Sequence, residues 1–202
     1  MATMTLAMLV SFGASQGITV AFSAPTLSVP DDNLDSVAEL SPDPAAMKEV
    51  LRAGLRSELA SVNGMRNGRI AILIGLSLAS GLVLVSALRL RWAFGINRVQ
   101  MAGLLSKSAL ATTIFRTMDG AQLFATEMRA SAARAEVLMT SPALNVGDTV
   151  ELVTLFSRGF NLMITVGVVF AFFLVWRYFG SEGVAQELAR ADAAEPRKTE
   201  DD

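Results

Sequence analysis

The sequence predicts an all-α membrane protein in which two transmembrane helices are joined by a long, mostly helical segment. Three observations carry this. Residues 70–88, IAILIGLSLASGLVLVSAL, contain no charge, and residues 159–176, GFNLMITVGVVFAFFLVW, contain none either. The segment before them spaces its apolar residues three and four apart, the period of a helix, and from Arg98 to about Met139 the segment between them is rich in alanine with nothing to stop a helix beyond the tolerable Gly103 and Gly120. A membrane helix needs about 20 mostly apolar residues to cover a hydrocarbon core of about 30 Å, so both stretches are long enough. A lone crossing segment also has to be helical, because lipid offers its backbone no hydrogen bonds.

Composition agrees with a small membrane protein carrying helical extramembrane parts. The chain has 202 residues, 52% of them hydrophobic and 18% charged, with a mean hydropathy of +0.46. It has neither cysteine nor histidine, which removes thiolate chemistry, the commonest general base and the commonest metal ligand. The net charge is −2 and no basic run forms a stripe, so nucleic acid is not an expected partner. Gly64 and Gly68 lie in a polar turn, outside any strand-to-helix unit that cradles phosphate. The expectation is a protein that is not an enzyme and holds no cofactor or metal.

Taken in order, residues 1–30 are uncharged and form an apolar leader. They read either as a signal peptide with a small-residue cleavage pattern or as an unstructured or surface-lying segment, and they lack the basic start of the former. Residues 31–43 carry five acids among prolines, an acidic linker. Asp43 before Pro44 is a helix start, since Asp caps free amides and Pro fits the first turn. An amphipathic helix over 44–63 follows, with Met47, Val50, Leu51, Leu55, Leu59 and Val62 on one stripe and Glu58 on the polar side.

The first span, 70–88, lies between Arg66 and Arg69 on one side and Arg89 and Arg91 on the other, as headgroup anchors should. Asn97 caps the inter-span segment 89–158, which is helical from Arg98 to about Met139. A third, weaker span at about 99–118 is the open alternative there: Met101–Phe115 is apolar, but a lysine at mid-membrane costs roughly 2.5–3.5 kcal/mol. Asp148 and Glu151 have capping-box spacing for the last long helix, and the span at 159–177 closes on Trp176 and Arg177. Residues 178–202 read as a short helix and a disordered acidic tail.

Candidate functional residues fall into two groups. Small residues four apart let helix backbones approach closely in lipid: Gly75 with Ala79 and Ser77 with Gly81 in the first span, Gly167 with Ala171 in the second. Lys107, Arg116 and Asp119 are the candidate intramembrane polar residues. In the bland alternative Lys107 snorkels from a surface helix and Arg116 pairs locally with Asp119, one turn away. Met118, Met128 and Met139 are read as packing residues.

The segment 89–158 holds eight basic and five acidic residues, which favours a cytoplasmic loop in a bacterial-type inner membrane. The function expected is that of a scaffold, anchor or accessory subunit. Its partners would be the lipid bilayer and either another membrane protein or a second copy. A membrane sensor, or an oligomeric pore or transporter component using Lys107, is the alternative.

Overall fold

The computed structural model describes residues 1–23, 34–35, 38–39, 43–92, 97–140 and 147–194, with the side chains of 147–151, 153 and 157 excepted. Among the described residues six long helices follow one another: α1 (Ala2–Ser23), α2 (Pro44–Gly64), α3 (Arg66–Trp92), α4 (Arg98–Thr140), α5 (Gly147–Phe179) and α6 (Glu182–Ala194). No strand occurs among the described residues. The protein is all-α, as the apolar periodicity requires.

Among the described residues three helices are long and apolar enough to cross a membrane: α1, α3, and α5 over Thr154–Phe179. The third is therefore α1, where the sequence suggests a leader, while 99–118 lies inside α4. There Lys107 and a series of serines and threonines dilute the apolarity. The stretch read as helical from Arg98 to about Met139 is a single helix, α4, of 43 residues. Most of the acidic linker, the turn residues 95–96 and the end of the tail lie outside the described residues.

Local signals explain the helix ends. The Asp43 side chain accepts the amide of Ala46 at 3.1 Å, with Pro44 in the first turn. Asn97 accepts the amide of Gln100 at 3.0 Å and so caps α4. At the end of α5 the Gly180 amide donates to the carbonyl of Trp176 at 2.9 Å, closing the helix on the residue type that most often follows a helix end. The α5 start at Gly147 is one residue ahead of the Asp148 start read from the sequence, within the usual fraying of helix ends.

The chain divides into two compact units, the first comprising Met1–Ser15, Ile74–Thr117 and Gly167–Asp202, the second Gln16–Leu73 and Met118–Val166. In the first unit, Ala7 of α1, Val83 of α3, Leu105 and Ala109 of α4 and Phe172 of α5 form one buried cluster. Alanines from α1 and α4 bring those helices close, the packing expected where lipid leaves no hydrophobic drive between helices. Here α1 and α3 are antiparallel, for Met1 sulfur meets Arg91 at 2.7 Å while Ala7 shares the core with Val83.

In the second unit the core is smaller and more polar. Met47 and Val50 of α2 pack with Ala38 and, from α4, with Val137 and Leu138. Gly17 of α1 lies against Leu73 of α3. Arg66 sits 5.7 Å above the ring of Phe22 and donates to that residue's carbonyl at 3.5 Å.

Candidate functional site

Within the first unit the small residues of α3 divide into two sets. Gly75 lies directly under Phe115 of α4, so that a Cβ there would stand 2.5 Å from two ring carbons. Ala79, one turn on, is buried. Ser77 is half-buried, and nothing lies within 4 Å of the place a Cβ on Gly81 would take. The Gly75–Ala79 step therefore faces the bundle, and the helix it meets at Gly75 is α4. Two inward residues outside the small-residue steps, Ser80 and Ser86, are fully buried; Ser80 donates to the carbonyl of Leu76 at 2.8 Å.

On α5, Gly167 is exposed with open space around it, and Ala171 is half-buried beside fully buried Phe172. In the first unit this helix meets α4 through a hydrogen bond from Ser106 Oγ to the carbonyl of Trp176 at 3.1 Å. A Cβ on Gly180 would stand 2.9 Å from that same Oγ, so the approach needs glycine.

The three candidate polar residues have different surroundings. Lys107 is exposed, between buried Ser106 and Ser108. Arg116 is half-buried, and Asp119, at 3% exposure, is buried. The unit boundary on α4 falls between them, after Thr117.

The second unit brings together a charged cluster that sequence reading missed. Arg134 of α4 donates to Glu58 Oε1 of α2 at 3.2 Å and to Thr154 Oγ1 of α5 at 3.3 Å. It also lies 3.5 Å from Glu127 Oε1. One guanidinium thus ties three helices, which its rigid fork of donors suits. Room for it comes from Gly54, where a Cβ would overlap the Arg134 side chain. A second arginine, Arg158 of α5, donates to Ser131 Oγ of α4.

The cluster shifts the buried face of α2. Met47 and Val50 are buried as the apolar stripe predicts, but so are Gly54 and Ser61, while Leu55 and Leu59 are only half-buried. Glu58 lies on that inward face. Its carboxyl is held above the ordinary glutamate range by burial, opposed by the charge of Arg134 and reinforced by that of Glu127. The available signal was the spacing Gly54, Glu58, Ser61, a small-polar face beside the apolar stripe.

No nucleophile stands against a general base in this cluster, and its charges serve to join helices. Among the described residues no three of His, Cys, Asp and Glu come together as metal ligands would. An open cleft of about 450 Å³ at the α2–α3 junction is lined by Asn63, Gly64, Met65, Arg66, Asn67, Gly68 and Gln122. Comparison with family models, curated proteins and solved structures gives no match for this chain.

Proposed function

We propose that this is a non-enzymatic integral membrane protein acting as a scaffold, anchor or accessory subunit, docking on another membrane helix through α5. The observation that carries the reading is the bareness of the α5 span. In the first unit Phe170 and Leu174 are exposed, and Gly167 beside them has open space around it. Lipid covers such a face in an isolated chain. A partner helix replaces the lipid when a small residue flanked by bulky ones lets two backbones approach, because close packing is a main source of association in membranes. The bilayer proposed is a bacterial-type inner membrane.

A photo-crosslinking residue at Phe170, compared with one at the covered position Phe172, tests this in native membranes by blue-native electrophoresis. A product of discrete mass is expected from position 170 and not from 172. A strictly monomeric chain that captures no neighbour from position 170 overturns the proposal.

A further inference from the structure

Lys107 and Arg177 are both exposed, in the first unit. Each directly follows a residue of the Ser106–Trp176 contact, and this fixes their relation. The two helices run in opposite directions there, since Ser106 meets Trp176 and Gly180 while Ala109 shares a core with Phe172. One step along a helix turns a side chain by about 100°. In antiparallel neighbours the two turns have opposite sense when viewed from one end, so both cations emerge on the same side of the α4–α5 pair at one level.

That level is a membrane boundary. Trp176 ends the apolar stretch 159–176, Arg177 is the first charge beyond it and Tyr178 follows; aromatic rings and cations in this order mark the headgroup layer. The Ser106 bond therefore places Lys107 in the headgroup layer, away from the bilayer centre. Among the described residues no ion pair joins either cation to a carboxylate. The nearest acid along the chain, Glu182, opens α6 and is exposed, and Asp192 of that helix is engaged with Arg98.

We infer that Lys107 and Arg177 together form a binding site for the phosphate of an anionic phospholipid headgroup, on one side of the α4–α5 pair. Two cations on one side of a helix pair, level with the headgroups and without a carboxylate partner, complement a phosphodiester, and basic positions between membrane helices bind anionic headgroups in this way. Indole and phenol rings beside them suit the glycerol region below the phosphate. The site rests on α5 spanning the membrane and is independent of any partner helix, so the crosslinking result above leaves it untouched.

The test is lipid retention by the purified full chain in detergent, read by native mass spectrometry with phosphatidylglycerol and phosphatidylcholine offered in equal amounts. Phosphatidylglycerol should be retained preferentially, and the Lys107→Gln/Arg177→Gln double variant should lose that preference, by about fivefold per cation removed. Lys107→Arg/Arg177→Lys should keep it. Millimolar inorganic phosphate should compete poorly with the lipid; full displacement would identify a free-phosphate site instead. Equal retention of the two lipids by the unaltered chain overturns the inference without recourse to any variant, as does an unchanged preference in the Gln variant.

Discussion

Phe115 fills the space that a β-carbon on Gly75 would need, its ring carbons 2.5 Å from that position. The pair joins α3 to α4 by shape alone. Alanine at Gly75 should force the ring aside and lower stability by about 1–3 kcal/mol, the usual cost of overpacking. Changing Phe115 to Ala as well should relieve part of that cost, so the two effects fail to add. Thermal unfolding in detergent of both single variants and the double variant measures the coupling; strict additivity would count against a direct contact.

Arg134 should be the least replaceable cation of the second unit. Alanine there leaves Glu58 and Glu127 without the guanidinium between them, and removing one member of a partly buried charge set costs up to about 3 kcal/mol. Lysine should recover part of the loss, since it keeps the charge but not the fork that reaches both Glu58 and Thr154. Changing Glu58 to Gln in the alanine background should also recover stability. Melting temperatures of the four proteins rank these effects.

Glu58 also sets a pH dependence. Its carboxyl takes up protons more readily in the folded chain than in the unfolded one, so the folded state binds more protons wherever the two forms differ. Its contribution is therefore full below the ordinary glutamate value of 4.5 and lost as pH rises through the raised value. The stability of the native chain minus that of Glu58→Gln should fall over that interval. A difference that is flat or rises with pH contradicts the burial-dominated shift.

Depth can be read directly, because the chain has no cysteine of its own. A cysteine at Lys107 should react with a membrane-impermeant thiol reagent in sealed vesicles of the correct orientation. One at Ile114, exposed but two turns further along α4, should not. Equal labelling of the two places both outside the bilayer.

Much of this fold is legible in the sequence because its strongest signals are local. Uncharged stretches mark α3 and α5, Asp43-Pro44 starts α2 and Asn97 starts α4, and each requires only neighbouring residues to act. The charged cluster is not local. Glu58 and Arg134 are 76 residues apart, and the small-polar face of Gly54, Glu58 and Ser61 does not say which distant residue it meets. Nor does small-residue spacing distinguish Gly75, pressed by Phe115, from Gly81 and Gly167, which stand open. Hydropathy finds α4 only weakly, because its inward face carries Ser106, Ser108 and Thr112.

Those hydroxyls also bear on the order in which the chain can be built. Ser108 donates to Leu105, Thr112 to Ser108 and Thr113 to Ala109, all inside α4, so these groups are satisfied as soon as that helix exists. Ser106 instead donates to Trp176, seventy residues later. During synthesis α1, α3 and α4 can associate before that carbonyl has been made, and α5 then supplies Phe172, the last member of the first unit's buried cluster.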